Sequence, residues 1–294
     1  NMYMDDIIIA CASQDHIKEV KAKFCSTFDM TDLGELKHFL NVRVSRSIGI
    51  LTMDQSVYTQ KVLDKFSEFL GPRDKIRKYP LPSNASDQLL QQDVNLSPTD
   101  QQYLDNFPYR NLIGAALYLS MNTRVDIAYA VGVLSRFSAK PTMATCRLLV
   151  HLWQYLRGTV GKGIVFGGRA FDMHIFTDSD WAGDVLTRRS TTGYVVFAAG
   201  GPIAWQSKLQ TTVSTSSMQA EYQAIYAGMQ ELVWLRGVMA EIGLPFDEPT
   251  PFFLDSQSAE DRSPKTTGGG DLGRVGFFTI LVFPTARFLS ITNT

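Results

Sequence analysis

His174-Ile-Phe-Thr-Asp-Ser-Asp-Trp-Ala-Gly-Asp184 is the stretch whose reading decides the fold, because a short apolar run delivers Asp178 to the end of a strand. Two later segments bring further acids. Ser216-Ser-Met-Gln-Ala-Glu-Tyr222 opens a helical pattern carrying Glu221, and Pro251-Phe-Phe-Leu-Asp-Ser-Gln257 ends a second apolar run at Asp255. These acids lie too far apart in sequence for one helix or hairpin to unite them, so a folded sheet-and-helix unit is required. Each alone reads as a solvated acid at an element end. Together they suit a hard divalent cation, which takes oxygen ligands.

Composition sets the frame around that stretch. With 294 residues, 45% hydrophobic and 19% charged, the chain has material for about two domains, at roughly 150 residues each, and is not dominated by disorder. Its 28 basic and 29 acidic residues give a net charge of −1, so composition alone does not announce nucleic-acid binding. Cys11, Cys25 and Cys146 are widely spaced and fit neither a zinc pattern nor a disulfide framework. A reducing, intracellular setting, cytoplasmic or nuclear, is expected. The chain opens at Asn1 within a structured pattern and reads as a fragment of something longer.

Taken in order, Tyr3-Met-Asp-Asp6 precedes Ile7-Ile-Ile-Ala10 and reads as a hairpin with Asp5 and Asp6 at its tip. Ile17, Val20, Phe24 and Phe28 mark an amphipathic helix, with Lys18, Lys21 and Lys23 on its other side. Leu33 to Val44 and Ile48 to Thr52 read as two strands joined by a turn at Ser45-Arg-Ser47, and a helix through Val57, Val62 and Phe66 follows. Gly71 to Pro98 is rich in Pro, Asn, Ser and Gln, carries Arg73, Lys75, Arg77 and Lys78, and reads as a linker. It ends in Ser97-Pro-Thr-Asp100, a helix-start signature.

Three helical patterns then run through Tyr109–Leu117, Val125–Val133 and Ala144–Leu156 and form a connector. Trp153 and Tyr155 offer base-stacking surfaces, although aromatics at helical spacing are more often core. Strands are expected at Gly163–Phe166, Met173–Thr177, Thr191–Ala199 and Ile203–Ser207, and a long helix from about Ser216 to Ile242 leads to the strand at Phe252–Leu254.

Five ordered motifs, Asp178-Ser-Asp-Trp-Ala-Gly-Asp184, Ser190-Thr-Thr-Gly-Tyr194, Trp205-Gln-Ser-Lys208, Ala220-Glu-Tyr222 and Asp255-Ser-Gln-Ser-Ala259, resemble the ribonuclease H domain of copia-type retrotransposon polyproteins. Tyr3-Met-Asp-Asp6, Leu33-Gly-Glu-Leu-Lys37 and Gly49-Ile-Leu-Thr-Met-Asp-Gln55 resemble the end of the matching reverse transcriptase. The resemblance implies an α/β (α+β) chain in four parts. Residues 1–83 would be a remnant of a reverse-transcriptase palm, 84–162 a helical connector, 163–259 a ribonuclease H-like mixed sheet with flanking helices, and 260–294 an aberrant, poorly ordered tail.

It also implies metal-dependent cleavage of the RNA strand of an RNA–DNA hybrid. Asp178, Glu221 and Asp255 would hold Mg2+ (or Mn2+), which activates a water and stabilises the leaving oxygen. Arg188, Arg189 and Lys208, in loops beside the strands, would meet phosphates, and Thr215, Ser217 or Ser256 would touch the ribose 2′-hydroxyl. Asp5 and Asp6 would be the remnant of a polymerase turn whose third aspartate comes from an earlier strand, missing with the rest of the N-terminal polyprotein, so no polymerisation is expected.

The pattern departs from the family after Ala259, where a final helix bearing His and a fourth acid is expected. Loop composition runs to Gly270, followed by Val275-Gly-Phe-Phe-Thr-Ile-Leu-Val-Phe283, and no His follows His174. A frameshift or misjoined exon near residue 260 accounts for this most simply. The apolar run is too short for a membrane span and is more of an aggregation hazard. The competing functional reading is a catalytically inactive mobile-element relic with residual nucleic-acid binding.

Overall fold

The computed structural model describes residues 7–11, 13–167, 172–255 and 277–282, the last six and Asp255 by backbone alone. The expected hairpin tip at Asp5 and Asp6 lies outside these residues, as does Ser256. Helix α1 (Gln14–Thr27) starts at Ser13, whose side chain accepts the His16 amide, and buries none of its residues. Its lysines are neutralised locally rather than held free for phosphate: Lys18 pairs with Asp15, Lys21 with Asp32 and Lys23 with Glu19.

The first sheet is an antiparallel ladder of β1 (His38–Phe39), β2 (Val42–Ser47), β3 (Ile50–Asp54) and β4 (Gly163–Gly167), in that order. Two details differ from the sequence reading. The expected single strand from Leu33 to Val44 is broken at Leu40-Asn41, both at positive φ, which gives the two-residue hairpin turn that suits strand twist. The next turn falls at Ile48-Gly49 rather than at Ser45–Ser47, with Ser47 opposite Ile50 and Gly49 supplying a φ of 71°.

Strand β4, expected to open the ribonuclease-like unit at residue 163, instead completes this first sheet against β3. Gly163 permits it, since a Cβ there would stand 2.2 Å from the Met53 carbonyl oxygen.

Helices α2 (Ser56–Lys65), α3 (Ala85–Leu89), α4 (Pro98–Asn106), α5 (Tyr109–Asn122), α6 (Ala128–Ser135) and α7 (Met143–Gly158) follow β3 in the chain. Ser97 caps α4 with Pro98 in its first turn, and Thr142 and Thr145 form a capping box on α7. The apolar stripe of α7 supplies Leu148, Leu149, Leu152, Trp153 and Leu156 to a core shared with Leu112, Leu119, Ile127 and Leu134. Val62, Leu63 and Leu70 belong to the same core, so the expected division at residue 83 cuts through it.

Nor is 71–98 a free linker. Arg157 donates to the Pro72 and Lys75 carbonyls at 2.6 and 3.2 Å, and Arg77 is held to Gln154 through both its backbone amide and its side chain. Its polar composition reflects backbone groups satisfied by α7 side chains.

The second sheet is built from β5 (Met173–Asp180), β6 (Thr191–Ala198), β7 (Gly201–Leu209), β8 (Thr250–Asp255) and β9 (Phe277–Val282), ordered β7-β6-β5-β8-β9. Only β5 and β8 run parallel, and β6, β7 and the long helix α8 (Ser217–Glu241) lie between them in the chain. Burial alternates along β6 with period two, as one covered face demands. That face meets α8 through Ala220, Ala224, Gly228 and Leu232, and a Cβ on Gly228 would lie 2.6 Å from Thr177 Cγ2. On the other face, rings of His174 and Phe197 stack, as do those of Phe176 and Phe253.

Helix α5 reaches this sheet through its Ser120 carbonyl, which accepts the Trp205 indole at 2.7 Å. The tail also departs from expectation. Residues 277–282 form an antiparallel partner of β8, with Phe252 opposite Ile280, so the uncharged run covers a sheet edge that would otherwise be open. The whole is a mixed α/β architecture of two sheets and packed helices. No helix among the described residues is long and apolar enough to cross a membrane.

Candidate functional site

Strands β5 and β8 run parallel toward one end of the sheet, where β8 stops at Asp255 and β5 continues to Asp180. Their parallel register pairs Ile175 with Phe252, Phe176 with Phe253 and Thr177 with Leu254, so the next residue on each strand is Asp178 on one and Asp255 on the other. Adjacent strands lie about 4.8 Å apart, which makes these two aspartates backbone neighbours at one sheet end. Glu221 stands in the second turn of α8, beside the buried Ala220. Thr177 faces α8 through Gly228, so Asp178 leaves the opposite face of the strand, and its Oδ1 accepts the Ser179 amide at 2.8 Å. Among the described residues no three His, Cys, Asp or Glu side chains gather tightly enough to hold one ion. The Asp255 side chain is not among them.

Asp180 is a member the sequence reading passed over. It shares the face of Asp178, two residues along the strand, and its carboxyl is pushed above the ordinary carboxylate value by burial and then by the Asp178 charge. The carboxylate folds against the backbone of Gly183, where a Cβ would stand 1.8 Å from Oδ2. The period of two was the available signal for this pair. Oxygen donors carrying mutual repulsion fit a hard dication, whose charge would relieve it.

The loop after β5 is pinned at Asp184. Its buried carboxylate pairs with Arg136, the residue that caps the end of α6, at 2.7 Å and accepts the Thr187 amide at 3.1 Å and the Thr187 hydroxyl. Burial opposes its ionisation, yet the Thr187 and Arg136 hydrogen bonds and the Arg136 charge outweigh it and hold the group below the usual carboxylate range. Ser190 steadies the same loop by accepting the Ala182 amide at 3.0 Å.

A second device fixes the start of α8. Gln210, buried just past β7, donates to Thr192 Oγ1 and to the Ala220 carbonyl, both at 3.0 Å, and accepts from Ser214 at 2.9 Å. Gln223 donates to the Ser214 hydroxyl, and the Trp181 indole to the Ser214 carbonyl. Strand end, loop and helix entry are thus tied around one amide side chain. No local sequence signal marks Gln210, because its three partners lie on β6, on the loop after β7 and on α8.

Arg188 and Arg189 lie in the β5–β6 loop, Arg188 exposed at a φ of 57°. Lys208, expected in a loop, is instead an exposed residue of edge strand β7, opposite Thr192. Among the described residues no carboxylate forms an ion pair with any of these cations. Thr215 bonds to Gln219, while Ser216 caps α8 and Ser217 is its first residue.

Residues 1–70 match the reverse transcriptase (RNA-dependent DNA polymerase) family. The chain is 35% identical over 267 residues to the retrovirus-related Pol polyprotein from transposon TNT 1-94 of Nicotiana tabacum, covering 89% of this chain and 19% of that one. The corresponding polyprotein from transposon RE1 of Arabidopsis thaliana is 30% identical over 259 residues, covering 88% and 17%. This chain belongs to the Pol polyproteins of copia-type retrotransposons. The Pol chain spans less than a fifth of the length of these two relatives. An uncharacterized mitochondrial protein of Arabidopsis thaliana is 34% identical over 235 residues, covering 79% of the Pol chain and 92% of that protein. No solved structure matches.

Proposed function

We propose that the C-terminal unit of this Pol chain cleaves the RNA strand of an RNA–DNA hybrid in a reaction dependent on magnesium or manganese. The observation that carries this reading is the β5–β8 register, which makes Asp178 and Asp255 neighbours at the sheet end where α8 begins with Glu221. Asp178, Glu221 and Asp255 would hold the ion. When bound, such an ion supplies an acidified water and charge stabilisation at the leaving oxygen.

The protein's own residues then position the substrate. Exposed Arg188 and Lys208 and half-buried Arg189 offer phosphate contacts on the β5–β6 loop and the β7 edge, and such contacts make binding salt-dependent. Thr215 and Ser217, at the entry of α8, offer hydroxyls to a ribose 2′-hydroxyl, the group that separates RNA from DNA.

The test is incubation of the purified chain with labelled RNA–DNA hybrid and magnesium, beside Asp178→Asn. Cleavage by the parent chain and its loss in the variant are expected. Equal cleavage by both, or retention of the hybrid without cleavage by either, would leave only a nucleic-acid-binding relic.

A further inference from the structure

A cavity of about 500 Å³ opens between the 71–98 segment and α7, away from the sheet-end carboxylates. Lys75, Arg77, Arg147 and His151 line it, and none of the described residues in its wall is acidic. Its floor is different in kind, since Phe69, Tyr103, Leu148 and Pro82 supply aromatic and apolar surface. The size falls within the range of small-ligand sites, roughly 300–1,000 Å³.

The arrangement is built rather than incidental. Arg77 uses Nε to donate to Gln154 Oε1 at 3.0 Å, which fixes the guanidinium and leaves its terminal nitrogens without a protein acceptor among the described residues. Gln154 is itself buried and anchored to the Leu70 carbonyl at 3.2 Å. Arg157 grips the Pro72 and Lys75 carbonyls and so sets the course of the chain that presents Lys75. His151 contacts the Tyr79 carbonyl at 3.1 Å, and its burial and the nearby Arg77 and Lys75 charges disfavour its protonation. Among the described residues Lys75, Arg77 and Arg147 form no ion pair with a carboxylate. Three cations without a carboxylate partner around one concave wall call for an anion, and the aromatic and apolar lining offers surface to a ring beside it.

We infer that this cavity binds the phosphate of a nucleotide unit, with Lys75, Arg77 and Arg147 on the phosphate and Phe69 and Tyr103 beside the base. The same chemistry comes from two sources, a free nucleoside phosphate or the phosphorylated end of a strand.

Titration calorimetry of the full chain with inorganic pyrophosphate, repeated with Lys75→Gln/Arg147→Gln, tests it. Both side chains are exposed, and Lys18→Gln/Lys23→Gln makes the same charge change elsewhere. Saturable binding that weakens roughly tenfold or more in the first variant and not in the second is expected, the loss that removing charge-assisted contacts brings. Displacement of pyrophosphate by ATP assigns a free nucleotide, and displacement by a 5′-phosphorylated but not a 5′-hydroxyl oligonucleotide assigns a strand end. Absence of saturable binding, or equal affinity in the parent and the Lys75/Arg147 variant, overturns the inference.

Discussion

Gln210, one residue past β7, donates its side-chain amide to the Ala220 carbonyl at 3.0 Å and so joins the end of the antiparallel ladder to the turn of α8 that carries Glu221. Replacing it with Leu strands the buried groups of Thr192 and Ser214. A loss of about 1–3 kcal/mol in urea unfolding is expected. Hybrid cleavage measured well below the unfolding transition should fall further than the stability loss explains, because the helix entry is no longer registered to the strands.

Asp184 gives a pH dependence with a definite sign. Its folded pKa lies below its unfolded value, so the Arg136 pair contributes stability above about pH 4, and that contribution is lost as pH falls through the folded pKa. Asp184→Asn should cost about 1–3 kcal/mol at pH 7. The gap between variant and parent should narrow in urea titrations as the pH is taken progressively below about 4.

Asp180 has the opposite sign. Its folded pKa is raised, so its ionised form opposes folding above that pKa. Asp180→Asn should raise the thermal midpoint at neutral pH and leave it unchanged in acid. Gly183→Ala should displace the Asp180 carboxylate by direct collision, and since only that side-chain end has to move, the midpoint should change little in acid.

The β9 ladder is tested by hydrogen exchange. The β8 amides that face β9 should be protected in the full chain, and Thr279→Pro/Ile280→Pro, which places proline at two successive positions so that one of the lost amides faces β8, should release them. Aggregation of that variant should rise as the β8 edge opens.

The second sheet was largely legible because its signals are local. The alternation of β6, the Ser216 cap and the apolar run into Asp178 each sit within a few residues of what they specify. The resemblance named Asp178, Glu221 and Asp255 before any geometry did, and the backbone brings Asp178 and Asp255 side by side. Partner choice was not legible. Gly163–Gly167 reads as a strand, but nothing nearby says that it pairs with Ile50–Asp54 across the whole helical region. The 71–98 segment looks like a linker because the groups that hold it, Gln154 and Arg157, are on α7. Lys208 reads as loop because the apolar strand signal stops by Ser207, whereas pairing with β6 carries β7 on to Leu209.

The central claim is that Asp178 and Asp255 act as one unit, and a double-substitution cycle on magnesium-dependent hybrid cleavage measures it directly. Asp178→Asn and Asp255→Asn should each lower the single-turnover rate by roughly a hundredfold or more, and the double variant should lose little beyond the larger single loss, as residues acting together do. Cleavage by Asp255→Asn at the parent rate, or losses that multiply in the double variant, would contradict the account.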